Sequence, residues 1–202
     1  MGKTFRQLTD EVREINTALG WRLGDSTLGD LVALVHTEVA EATTAYRRYR
    51  LADMTRPACG RAVVSGESCP EHGLPKPAGV ADELADVVIR LIDLADIFQI
   101  RVFEPDLELA DVAPIHMSTV TWPEPIDTFG EYMDWLHSCV HGVVASRDVP
   151  RAIRAVATVA NQFGIDLAMA VERKVAYNRT REYQHGGTMS DAKPKTTEGM
   201  TA

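Results

Sequence analysis

The chain has 202 residues and a formal net charge of −8, with a pI near 5.2. That balance leaves no broad basic face for a nucleic-acid backbone, so nucleic acid is not expected as a partner. Three cysteines are too few and too odd in number for a disulfide framework, and MGKTFRQLTDEV holds no secretory leader, so a reducing cytoplasm is the expected setting. Hydrophobic residues at 45% and charged residues at 25% are ordinary for a soluble globular protein of one sizeable domain. The longest apolar runs carry acids and are too short to span a bilayer, so no membrane partner is expected.

In chain order, Phe5, Leu8, Val12, Ile15 and Leu19 follow the 3.6-residue rule, and Gly20 is placed to stop that helix. A second helix is expected from Thr27 or Leu28 to about Tyr49. Sequence rich in Pro, Gly and Cys over 54–79 reads as a loop. A third helix runs from about Val80 to Phe98, and the prolines Pro105, Pro114, Pro123 and Pro125 mark a connector over 103–125. Two helices follow at about 127–146 and 149–163. A last one, about 166–182, ends in the turn His185-Gly186-Gly187, and the polar tail 188–202 is expected to be disordered. No strand is evident. The expected class is all-α, a helical bundle forming a single domain over 1–187.

Four acids carry the chemistry. Glu38 and Glu41 in HTEVAEA, and Glu83 and Asp86 in DELADVV, each have i, i+3 spacing, which sets both carboxylates of a pair on one helix face. One such pair is most often a solvated face. Two pairs, each interrupting a strongly apolar helix, place like charges beside a hydrophobic interior, where they need a neutraliser. For clustered hard oxygen ligands that neutraliser is Mg²⁺ or a similar cation, Mn²⁺ included.

The chain also echoes itself. Residues 87–102 align with 152–167 when Phe98 is set against Phe163, and 34–42 align with 135–143, matching His36 to His137. Cys139 and Gly142 then stand where Glu38 and Glu41 do, and Asp148 and Arg151 where Glu83 and Asp86 do. A second half built this way is a degenerate repeat that keeps the fold and loses the acids, making the chain a pseudo-dimer. Chance agreement of amphipathic helix pairs is the alternative.

HTEVAEA, then ELADVVIRLIDLA, then ERKVAYNRTREYQHGG resemble the MazG-like branch of the all-α nucleoside triphosphate pyrophosphohydrolases, over residues 4–102 and about 166–187. The intervening segment departs from the short form of that family, in which the metal helix leads almost directly into the last one. The resemblance implies a helical bundle of that type, with 1–102 as the catalytic half and 103–187 as the degenerate repeat plus a phosphate-binding helix. It also implies α,β-phosphoanhydride cleavage of a nucleoside triphosphate to monophosphate and pyrophosphate. In that setting Glu38, Glu41, Glu83 and Asp86 would hold Mg²⁺, which would ligate phosphate oxygens and acidify a bound water. Glu38 or Glu41 would take the proton. Lys174, Asn178 and Arg181, at i, i+4 and i+7, would grip the phosphates, although a basic last turn is common on any helix. Tyr177 and Trp21 are candidates to stack on the base. His36 serves equally as a substrate contact or a structural histidine. The resemblance also implies a homo-oligomer.

Cys59, Cys69 and His72 have the look of a zinc-ribbon fragment with one ligand missing, so Zn²⁺ is one reading and a Gly-rich loop with two free thiols the other. The functional expectation is an Mg²⁺-dependent hydrolase acting on non-standard or excess (deoxy)nucleoside triphosphates. The alternatives are a narrow dUTPase or dCTPase, and a non-catalytic helical nucleotide-binding protein.

Overall fold

The computed structural model describes residues 2–22, 26–52, 54–56, 63–64, 76–121 and 126–181, with 54–56, 63–64 and 76 described by backbone alone. Six helices carry the fold: α1 Phe5–Ala18, α2 Leu28–Tyr49, α3 Val80–Ile97, α4 Phe129–Ser146, α5 Val149–Gln162 and α6 Leu167–Asn178. The class is all-α. None of these helices is long and apolar enough to cross a membrane.

Local chemistry sets most helix ends. Thr4, Thr27 and Thr128 each accept from the backbone N–H three residues on, and Gln7, Asp30 and Glu131 reach back to the cap, forming three capping boxes. Gly20 takes φ 69°, and Trp21 N donates to Asn16 O at 2.9 Å, closing α1 where a left-handed residue is needed. The same bond closes α3, from Ile100 N to Ala95 O at 2.8 Å, and α5, from Ile165 N to Ala160 O at 2.8 Å. Helix α6 ends at Asn178, short of the expected 182.

Helix α3 is the centre of the bundle. Of its 18 residues 13 are buried, because VADELADVVIRLIDLADI is apolar on nearly every face and meets α1, α2, α5 and α6. Helix α2 packs along α3 and α4, and α4 along α5. His36 of α2 and His137 of α4, matched in the internal alignment, meet with their Nδ1 atoms 2.8 Å apart, one donating to the other. Their rings stack at 5.1 Å.

One expectation needs correction, and a second gains detail. The segment between α2 and α3 is not free of strands: β1 Met54–Arg56 pairs antiparallel with β2 Val63–Val64 and β3 Lys76–Pro77, in the order β2-β1-β3. Strands of two or three residues carry too little alternation to be read from a sequence. The connector after α3 is also more than a linker. Phe5 N and Arg6 N donate to Leu107 O and Pro105 O at 2.9 Å, Leu109 and Val112 are buried, and Ile115 N donates to Thr158 Oγ1 on α5 at 2.7 Å. The tail 188–202 and the turn His185-Gly186-Gly187 lie outside the described residues.

Candidate metal centre

Glu38 is buried because it shares the inward stripe of α2 with Val35, Val39, Ala42 and Ala45. Glu83 and Asp86 stand on α3, whose near-complete burial leaves their carboxylates nowhere else to point; Glu83 is buried and Asp86 half-buried. One ligand atom from each of Glu38, Glu83 and Asp86 lies within 4.8 Å of the others. The sequence pairs thus meet across two helices, as three acids rather than four. Glu41 is exposed and stands outside the trio, near enough that its charge raises the Glu38 pKa slightly.

Two cations answer these acids, and a third pairs beside them. Arg90 Nε donates to Glu38 Oε1 at 3.0 Å. Lys174, only 1% exposed, places Nζ 2.6 Å from Asp86 Oδ2 and 3.9 Å from Glu83 Oε2. Beside them Arg173 donates through Nη2 to Asp82 Oδ1 at 2.7 Å, and Asp82 is fully buried.

Burial, and then the Asp86 charge, push the Glu38 carboxyl above its ordinary value, against the pull of Arg90. Burial works against the Lys174 ammonium, but Asp86 and then Glu83 outweigh it and leave its pKa raised. Burial likewise raises Asp82, with Arg173 opposing. Lys174 is therefore charged at neutral pH while Glu38 is held more protonated than a free carboxylate.

The donor set fits a hard divalent cation. All three ligands are carboxylates, presented from two packed helices, and three carboxylates leave coordination positions for water or phosphate oxygens, as Mg²⁺ and Mn²⁺ use. Among the described residues no other three His, Cys, Asp or Glu side chains approach one another as closely.

The stripe on α6 divides. Lys174 faces the acids. Asn178 and Arg181 instead line a cavity of about 340 Å³ with Glu14, Ile15, Ala18, Leu19 and Arg179. There the buried Asn178 Oδ1 has no hydrogen-bond partner. The Arg181 guanidinium lies 4.5 Å from the Trp21 ring centroid, so one face of the indole expected to stack on a base carries a cation instead. Tyr177 is half-buried on α6. His36 pairs with His137, a contact between α2 and α4. Cys59, Cys69 and His72 lie outside the described residues.

Cys139, Gly142, Asp148 and Arg151, set against the four acids in the internal alignment, line a cavity of about 280 Å³. Its single carboxylate, Asp148, accepts from Arg151 N at 3.0 Å and caps α5. No trio forms there.

Sequence reasoning overlooked Arg90, Asp82 and Arg173. Arg90 was visible: it stands at i+7 from Glu83 and i+4 from Asp86, on the same face of α3. Asp82 and Arg173 each adjoin a residue that was singled out, but a half-buried ion pair 91 residues apart leaves no local trace.

Comparison with protein-family models, with curated proteins and with solved structures returns no match to this chain.

Proposed function

We propose that the protein is an Mg²⁺-dependent hydrolase, with Mn²⁺ able to substitute, that converts (deoxy)nucleoside triphosphates to monophosphate and pyrophosphate. The observation that carries this reading is the convergence of Glu38 with Glu83 and Asp86 from two helices, in motifs that resemble the MazG-like pyrophosphohydrolases. Bound by these three carboxylates, a divalent cation supplies Lewis-acid stabilisation of phosphate oxygens and an acidified water.

The chain's own groups have definable parts. Arg90 engages Glu38 Oε1, which orients the carboxylate and leaves Oε2 for a ligand or a proton. The raised affinity of Glu38 for a proton suits a general base at neutral pH. Lys174 keeps a positive charge at the cluster. One helical turn along α6, the cavity beside Asn178 and Arg181 offers room and donors for the remainder of a nucleotide. Removal of unwanted triphosphates from the nucleotide pool is the role this chemistry serves, in a homo-oligomer if the resemblance extends so far.

A second reading has its own observation. Lys174 and Arg90 already pair with the acids, so the cluster also works as an internal ion-pair network in a non-catalytic helical protein.

Pyrophosphate release from a panel of standard and modified (d)NTPs with Mg²⁺, beside the Glu38→Gln variant, separates the two. The expected result is metal-dependent release with monophosphate as co-product, reduced by about 10²-fold or more in the variant. A panel response confined to dUTP or dCTP would mark a narrow dUTPase or dCTPase. No release from any triphosphate by the folded wild-type protein favours the ion-pair network.

A further inference from the structure

We propose that Lys174 is the resident counter-ion of the acidic cluster and competes with the divalent cation for it. This rests on reading Glu38, Glu83 and Asp86 as a metal centre, and it adds a built-in competitor to that centre.

The Lys174 ammonium sits 2.6 Å from Asp86 Oδ2 and 3.9 Å from Glu83 Oε2, so one positive charge already occupies two of the three ligand residues. The side chain is 1% exposed, and water does not share the screening. A dication entering the trio takes the same carboxylate lone pairs and arrives within a few ångströms of the ammonium. Like charges that close in a buried site repel strongly. Coordination by Asp86 and the Asp86–Lys174 ion pair are therefore alternatives.

Arg90 does not compete in this way. It donates to one oxygen of Glu38 and leaves the other free, so metal loading and the Arg90 contact coexist.

Two consequences follow. The metal-free protein depends on Lys174 to hold three carboxylates together, so removing its charge weakens that state. The same removal deletes the competitor, so metal binds more tightly. A lysine whose part was to assist metal or phosphate binding would show the opposite sign.

The test is Mn²⁺ titration by calorimetry of the wild-type chain and Lys174→Met, with thermal midpoints recorded with and without Mn²⁺. The variant is expected to bind Mn²⁺ about tenfold more tightly. Its metal-free midpoint should lie below that of the wild type, and Mn²⁺ should raise it further than it raises the wild type. Wild-type binding with equal or weaker affinity in Lys174→Met overturns the competition and leaves the metal centre standing. No Mn²⁺ binding by either protein overturns both. Should the variant fail to fold, the wild-type chain still answers through the Lys174 Cε and Nζ resonances during Mg²⁺ titration. Displacement moves them in step with metal occupancy, and resonances that stay in place at full occupancy overturn it.

Discussion

Asp96 shows what single residues contribute away from the cluster. It accepts from Arg13 Nη2 and Nε at 2.5 and 2.9 Å and pairs with Arg22 Nη2 at 2.7 Å, tying α1 and the turn after it to α3. The Arg13 hydrogen bond, and then that of Arg22, hold its carboxyl below the ordinary value although burial works the other way. A depressed folded-state pKa contributes stability above the unfolded value, near 4, and loses it as pH falls through the folded value. Asp96→Asn is therefore expected to cost about 1–2 kcal/mol at pH 7, discounted for the half-exposed Arg13. Urea titrations should show that difference shrinking from about pH 5 downward; a gap that stays constant to pH 3 contradicts the assignment. Residue-scale partners were the least legible feature of the sequence. The acids and the basic residues were in plain view, but Arg90 reveals which acid it meets only after α2 has packed on α3, and Arg173 and Lys174 only after α6 has docked there.

Elements were legible where their ends are local chemistry. Helix α2 runs over Leu28–Tyr49 as expected because Thr27 and Asp30 satisfy each other's backbone groups within four residues. Thr27→Ala removes the side-chain acceptor for Asp30 N and is expected to destabilise the protein by about 1 kcal/mol, with helix content unchanged by circular dichroism. Because Glu38 stands near the middle of α2, metal affinity should be unaffected by that change, and a large loss of affinity would mean that the cap positions the site. Ends without such signals were misjudged. Helix α6 stops at Asn178, its end marked by backbone bonds from Arg179, Thr180 and Arg181 and by Thr180 Oγ1 donating to Tyr177 O. The ribbon of β1, β2 and β3 has strands too short to leave a periodic signature.

At the scale of the whole molecule one apolar core joins all six helices, running from Phe5 and Leu8 through Val35, Leu91 and Trp135 to Val171. A continuous core predicts one cooperative transition, so tryptophan fluorescence and far-UV circular dichroism should unfold together in urea. Leu91→Ala, at a fully buried position of the central helix, is expected to cost about 2–5 kcal/mol and to shift both probes equally. Separate transitions would show that α4 and α5 form their own folding unit. Capping boxes recur on α1, α2 and α4 and the same closing bond on α1, α3 and α5, local features that were present in the sequence. By itself the sequence determined the six helices, most of their ends, and the faces on which paired acids stand, because these depend on interactions within about four residues. Only the tertiary structure decided that Glu38 joins Glu83 and Asp86 while Glu41 does not, that Lys174 turns inward to them, and that His36 meets a histidine. Residue spacing sets the face of a helix on which a side chain stands; the docking of that helix against its neighbours sets what the face touches.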